Sequence, residues 1–448
     1  MILIFVILLI PLGGMTFWPT TETTENTPLA EIPSACKEDG KPNFYYLSDW
    51  GNYFEDRFAF RPYLITANAL LQGKAFGQSA TDQVILGKDG WLFYGGTLSD
   101  YQGRNLLSDR DWFCLIHNLQ LMQEYIEVQG SQFFFTVAPN KNSLYGECMP
   151  SRYLEGNSKN MDYLSQKLQE GGINYVDLYG LFQKSETPLY FKKDSHWHNK
   201  GAVLAYRALM EAMGKKYETY LNVPFTEEMV HVGDLEEMLY PKAITPEKDF
   251  IYKKEMKFQC ETEDYMTEWI ETSNSEKEQT LLMYRDSFGE SLLPFMAEEF
   301  NKGYFSRLVP YHLTQAEHYQ PDYVIIERVE RRLSSFAEEA PVMPAPQREN
   351  RLSLKTETKS EVKAKTEGSY FSVNGTVEED LIRDDSELFV EIIDADGERN
   401  TYAPFYLTKN GFQLYLKEET VPSGTFQINI LTELNNQSII VCSESFTK

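Results

Sequence analysis

Two short stretches of this chain hold the residue types that together activate a hydroxyl group. The first is Lys193-Asp194-Ser195-His196-Trp197-His198, and the second is Arg285-Asp286-Ser287-Phe288-Gly289. In the first, a carboxylate sits two residues before a histidine. In an extended or turning backbone this spacing lets the carboxylate reach the far ring nitrogen and fix its tautomer. In the second, Ser287 follows the apolar run Leu281 to Tyr284 and precedes a helix-like run from Gly289. The carboxyl end of a strand is where an α/β sheet holds reactive groups. Amides at the helix start, those of Phe288 and Gly289, can face a developing oxyanion there. If the two stretches meet in space, the chemistry is acyl transfer or ester cleavage, with Ser287 as nucleophile, His196 as base and Asp194 as the group that orients the base.

Other chemistry fits parts of this pattern. Asp and Ser are both favoured helix N-caps, so Asp286-Ser287 can simply start a helix. Asp194 and His196 can belong to an exposed loop. Asp194, His196 and His198 also have the types of metal ligands, in the order D-x-H-x-H. A metal site needs a further ligand, and His231, His312 and His318 follow no ligand spacing. No metal and no cofactor is expected. Asn140 and Lys141 follow the apolar run Gln132 to Ala138 and Pro139. The Asn140 amide can donate to an oxyanion or make a turn, and Lys141 is taken with it as a substrate-side candidate. Trp197 can wall the site.

These residues need elements to position them. Val84 to Tyr94 has two apolar runs around Lys88-Asp89-Gly90, which predicts a hairpin. Apolar residues three or four apart predict a helix over Asp111 to Val128, ending near Gly130. Further helices are expected over Met161 to Leu168, Lys200 to Met213 and Gly289 to Phe300. Strands are expected over Gln132 to Ala138, Ile173 to Leu178, Thr280 to Tyr284, Phe305 to Val309 and Tyr323 to Ile326. Strands alternating with helices predict βαβ units and a mostly parallel sheet covered on both faces. After the Pro-rich stretch Pro341 to Pro346 the composition changes. Short strand-like runs at Tyr370 to Val373, Leu388 to Ile393, Phe412 to Tyr415, Phe426 to Leu431 and Ser438 to Val441 predict an antiparallel β-sandwich. The division is therefore 1–18, an apolar signal or signal-anchor segment; 19–40, a polar tether; 41–340, the α/β domain; 341–351, a linker; and 352–448, the sandwich domain.

The chain has 448 residues, enough for two or three domains. Its formal net charge is -25, which repels phosphate backbones and excludes nucleic acid as a partner. The clusters of basic residues are short, and Arg328, Arg331 and Arg332 are interleaved with Glu327 and Glu330. The five cysteines contain no CxxC pair, so a zinc ribbon or finger is excluded on spacing. Met1 to Trp18 carries no charged side chain, and a Thr/Glu/Pro-rich stretch follows it. Together they predict a protein that works outside the cytoplasmic membrane, at the cell surface or in a periplasm, with the N-terminal segment either a cleaved signal or a membrane anchor.

The D-x-H-W segment before a helix and the later D-S-F opening a helix resemble the SGNH-hydrolase-like proteins of the alginate O-acetyltransferase type, and the related DHHW proteins. Asp56-Arg57-Phe58-Ala59-Phe60-Arg61, Gly87 to Tyr94, Val137 to Lys141 and Pro321 to Glu327 agree in their order. The resemblance covers about residues 45 to 335. It implies a flavodoxin-like three-layer α/β/α core with Ser287, His196 and Asp194 as the triad. It also implies acetyl transfer to or from hydroxyls of an exported polysaccharide, with a membrane-bound O-acyltransferase supplying acetyl groups. Two positions depart from the pattern. Arg285 stands where the usual G-D-S block has Gly, and Ser195 takes the second place of D-H-H-W. A chain that keeps the fold without the chemistry would instead bind or assemble cell-surface polysaccharide, and such a chain should tolerate Ser287→Ala.

Overall fold

The computed structural model describes residues 10–11, 13–15, 17–20, 29–37, 40–351, 353–355, 360–407, 410–434 and 437–448. Most of the expected signal or anchor segment and part of the tether lie outside the described residues. Among the described residues no helix is long and apolar enough to cross a membrane.

The centre is a seven-stranded sheet. Its strands in chain order are β1 Gln132–Ala138, β2 Tyr175–Val176, β3 Gln259–Cys260, β4 Trp269–Ser273, β5 Thr280–Tyr284, β6 Lys302–Ser306 and β7 Tyr323–Val329. Across the sheet the order is β2-β1-β7-β5-β6-β4-β3. The pairs β2–β1, β1–β7, β7–β5 and β5–β6 are parallel. The edge pairs β6–β4 and β4–β3 are antiparallel.

The alternation of β1 explains the layering. Phe133, Phe135 and Val137 point to one face of the sheet, and Phe134 and Ala138 to the other. Both faces are apolar because both are covered, as expected for parallel strands. On the first face lie helix α1, Asp109–Val128, through Leu115, Leu119, Met122 and Ile126, and helix α2, Asn160–Glu170, through Leu164 and Leu168. On the second lie α3, Asn199–Ala212, and α4, Gly289–Ala297, which pack on each other and on Leu281, Met283 and Ile325. The result is the three-layer α/β/α core. Helix α1 starts in a capping box: the Ser108 hydroxyl accepts from the Asp111 amide while the Asp111 carboxylate accepts from the Ser108 amide.

Several boundaries differ from the sequence reading. The strand expected over 305–309 is β6, shifted to Lys302–Ser306. Only Tyr175–Val176 pair within the strand expected over 173–178, since Asp177 caps the short helix Leu178–Phe182. The hairpin Phe225–His231 with Glu247–Tyr252 was not expected at all. The hairpin Val84–Leu86 with Leu92–Tyr94 is present, with Asp89 and Gly90 at positive φ in its turn.

The C-terminal region is β-rich. A six-stranded and a four-stranded sheet face each other through Val390, Ile392, Ile428 and Ile430 on one side and Phe371, Val373, Phe412 and Leu414 on the other. One pair departs from the all-antiparallel expectation: Ser353–Lys355 runs parallel to Gln437–Thr447 at a sheet edge. None of the five cysteines forms a disulfide.

Candidate active site

Each of the two chemical stretches sits where an element ends. Strand β5 stops at Tyr284, and α4 begins at Gly289. Ser287 lies in the turn between them, at the carboxyl end of a central strand. The turn is tied from beneath. The Asp286 carboxylate accepts from the Phe288 amide at 2.9 Å and the Val329 amide at 2.7 Å. The Asp286 amide donates to Glu327 Oε2 at 3.1 Å. Glu327 is fully buried, and burial, then the neighbouring Asp286 charge, raise its carboxyl well above the ordinary range. With Glu327 favouring its neutral form, the site does not hold two like charges.

Asp194 and His196 lie in the turn that leads into α3. His196 Nε2 is 2.8 Å from Ser287 Oγ, and His196 Nδ1 is 2.8 Å from Asp194 Oδ1. Asp194 also accepts the His196 main-chain N–H at 2.7 Å, which closes a turn that fixes the spacing. The structure thus brings Ser287, His196 and Asp194 into one hydrogen-bonded chain. Burial opposes charge on both partners, and their mutual attraction prevails. The His196 ring is held above its ordinary value, and the Asp194 carboxyl well below its own. The chain opens on a cavity of about 600 Å³ lined by Ser287, His196, Trp197, Tyr94, Tyr265 and Arg331, among others.

The remaining expected site residues are placed differently. Asn140 does not line the cavity: its Nδ2 donates to Asp100 Oδ2 at 3.0 Å, and its amide donates to Glu330 Oε2 at 2.7 Å. The structure therefore places the Asn140 side-chain amide on Asp100, apart from the cavity where an oxyanion role was expected of it. Lys141 is buried beneath the loop, where Nζ donates to the carbonyls of Phe191 at 2.8 Å, Lys192 at 2.9 Å and Asp194 at 2.6 Å. It holds the loop and does not line the cavity, apart from the substrate side where it was expected. The Phe288 amide is taken by Asp286 and is not free to bind an oxyanion. Phe288 instead offers its ring, 4.6 Å from the His196 ring centroid. Gly289 is required by packing: a Cβ there would lie 2.7 Å from the Arg285 side chain. Trp197 lines the cavity and is anchored by its Nε1 donating to Ser291 Oγ at 2.7 Å.

His198 does not join Asp194 and His196. Its Nε2 lies 2.8 Å from the Pro188 carbonyl, and burial lowers its pKa to about 4. The D-x-H-x-H ligand reading fails because the chain bends through 192–196 and does not run extended, which leaves His198 turned away from the other two and on the Pro188 carbonyl. His312 and His318 are exposed and do not line the cavity. Among the described residues, ligand-type atoms of Asp194, His196 and Asp234 lie within 4.8 Å of one another. Hydrogen bonds already occupy them: Asp234 accepts from the Ser195 hydroxyl at 2.5 Å and the Ser195 amide at 2.8 Å.

Three residues of this site were not foreseen. His231 Nε2 lies 2.9 Å from Asp194 Oδ2. The Asp234 amide donates to the same oxygen at 3.0 Å. Arg331 projects into the cavity over the rings of Tyr94 and Phe288, at 5.4 and 5.8 Å, and among the described residues it makes no hydrogen bond or ion pair. The only sequence signal for it was the short basic cluster following the strand β7. Arg285, which replaces the usual Gly, is buried, and its guanidinium donates to the Tyr265 carbonyl under the cavity rim.

Residues 84–274 match the family model described as SGNH hydrolase-like domain, acetyltransferase AlgX. That stretch of the chain is thus similar to an SGNH hydrolase-like domain. The matched stretch includes Asp194, His196 and His231 and ends before Ser287. No curated protein matches the chain. Solved structures similar to it include a DHHW family protein from Eubacterium siraeum, at 16% identity over 57% of this chain and 93% of that one, with a TM-score of 0.44. Bacillus cereus PatB1 is 19% identical over 55% of this chain and 95% of its own, with a TM-score of 0.46. Pseudomonas aeruginosa AlgX is 15% identical over 75% of this chain and 86% of its own, with a TM-score of 0.37.

Proposed function

We propose that the protein is an extracytoplasmic O-acetyltransferase or acetylesterase acting on hydroxyls of a cell-surface or exported polysaccharide. The observation that carries this reading is the unbroken chain Asp194–His196–Ser287, with contacts of 2.8 Å and 2.8 Å, opening on a cavity. Ser287 Oγ attacks the acetyl carbonyl while its proton passes to His196 Nε2. Collapse of the tetrahedral intermediate expels the donor alkoxide, which takes that proton. The acetyl group is then an ester on Ser287. An acceptor hydroxyl gives its proton to His196, attacks the ester and leaves acetylated, and the proton returns to Ser287. Asp194 keeps the Nδ1–H tautomer and stabilises the imidazolium. The unpaired Arg331 is the cation available to oppose charge developing in the cavity.

Transfer to sugar or to water depends on which hydroxyl reaches the acyl-enzyme. The cavity is open enough for a sugar unit, which supports a polymer acceptor. The acetyl donor on this reading is a membrane-bound O-acyltransferase, and the apolar N-terminal sequence would keep the two at one membrane. Ser287→Ala is expected to abolish turnover of a nitrophenyl acetate while leaving the melting temperature unchanged within a few degrees. Undiminished turnover in Ser287→Ala would turn the reading to a polysaccharide-binding protein, or, if a chelator then stopped it, to a metal hydrolase.

A further inference from the structure

Asp194 serves two imidazoles. Its Oδ1 is 2.8 Å from His196 Nδ1, and its Oδ2 is 2.9 Å from His231 Nε2. His231 ends the strand Phe225–His231 and is brought in by a hairpin separate from the turn that carries Asp194 and His196. Its ring stacks on Phe191, with centroids 3.7 Å apart and planes 8° from parallel. Only 30% of its side chain is exposed, and it lines the same cavity. An ionised carboxylate only accepts hydrogen bonds, so Nε2 of His231 carries a proton and donates.

We infer that His231 is a positioning residue that sets the basicity of His196 through Asp194. This rests on the proposed role of Ser287, His196 and Asp194. Two effects follow from the geometry. His231 holds Oδ2, so that Oδ1 stays aligned with the His196 ring. It also draws on the same negative charge that stabilises the His196 imidazolium. A second donor on a carboxylate makes that carboxylate a weaker partner for the first.

The charges around the two rings do not change the sign of this effect. Asp194, Asp234 and Arg331 face His196, while Asp194, Asp249 and Glu247 face His231. If His231 is neutral, it withdraws charge through its hydrogen bond. If it is protonated, its positive charge adds to the same effect. With His231 lost, the Asp234 amide on Oδ2 and the His196 amide on Oδ1 still hold Asp194 in place, so the charge effect decides the sign and His196 becomes easier to protonate.

His231→Phe keeps a ring to stack on Phe191 and removes the donor. His231→Gln keeps a donor near the position of Nε2 and removes the ring. The full chain is titrated by NMR of its histidine rings, and kcat/KM for nitrophenyl acetate is followed against pH. In His231→Phe both the His196 pKa and the acid limb are expected to rise by about 0.5–1 unit, while His231→Gln stays near wild type. His231→Ala, also without a donor, is expected to show the same rise and replaces the Phe variant if that one does not fold. Superimposed titrations of the donor-less variant and wild type would overturn the inference. So would an equal shift in His231→Gln, which would mark the ring's packing as the cause. Undiminished turnover in Ser287→Ala overturns the catalytic reading instead, and the ring titration, which needs no turnover, still decides the role of His231.

Discussion

Asp194 accepts from His196 Nδ1, the His196 amide, His231 Nε2 and the Asp234 amide, so both its oxygens are doubly engaged. Such saturation fixes the rotamer of His196 as well as its tautomer. Asp194→Asn keeps the shape and loses the charge, so it is expected to lower kcat by on the order of 10³–10⁴-fold, by analogy with the serine-protease relay. The pH profile gives a second check. His196 accepts a proton from Ser287 only when neutral, and its pKa is raised, so activity should fall as pH drops through a value above about 6.5. In Asp194→Asn the ring loses its counter-charge, and the remaining activity should show an acid limb at lower pH. An unmoved limb would mean that another group sets it. These three residues were legible in the sequence because a carboxylate two positions from a histidine and a serine after an apolar strand are local signals. His231, 37 residues from Asp194, has no local signal.

The elements that hold these residues differ in how far they could be read. Helices α1 and α3 have burial patterns that match their period, and strand β1 reads as a continuous apolar run because both its faces are covered. The Phe225–His231 hairpin strand does not: its residues are mostly exposed, so no apolar alternation marks it. Its partner strand begins only at Glu247, after the helix Asp234–Leu239, so no tight turn announces it either. Lys141 shows the same limit in another form. Its sequence neighbours suggested a place facing substrate, yet its cation is spent on three carbonyls of the loop that carries Asp194. Lys141→Met would strand those acceptors in the interior, each at about 1–3 kcal/mol if buried. The expected result is a lower melting temperature and a kcat that falls more than KM rises, because His196 is less well held. Burial also lowers the Lys141 pKa to about 7, against an ordinary 10.5. Between these values the unfolded chain holds a proton that the folded chain lacks, so this group makes stability rise with pH across that window. Lys141→Met should remove that slope, and thermal melts at pH 7 and pH 10 measure it.

At the scale of the whole molecule, composition correctly marked the β-rich end, and the Pro-rich stretch before it suggested two modules. The contacts across that stretch are extensive. Asn118 of α1 donates to the carbonyls of Phe336 and Tyr406 at 2.6 and 2.8 Å and accepts from the Tyr406 amide at 2.8 Å. The His117 ring stacks on Tyr406 with centroids 3.8 Å apart, and Phe405 enters the apolar layer beneath the central sheet. None of this was legible, because helix α1 is amphipathic toward its own sheet and the partners on its far side lie nearly 300 residues later. The cavity, by contrast, is lined by no described residue beyond Arg331. Stability and chemistry should therefore separate. A chain ending at Pro346 would leave Asn118 without two of its three partners and would expose the apolar surface that Phe405 covers. It is expected to melt at a markedly lower temperature, by several kcal/mol of lost burial and hydrogen bonding. The molecules that remain folded should turn over nitrophenyl acetate at nearly the wild-type kcat. Circular dichroism melts give the first quantity, and activity per folded molecule gives the second. A melting temperature equal to that of the full chain would show that the two parts fold independently. A folded but inactive truncated chain would show that the C-terminal sheets shape the cavity from a distance.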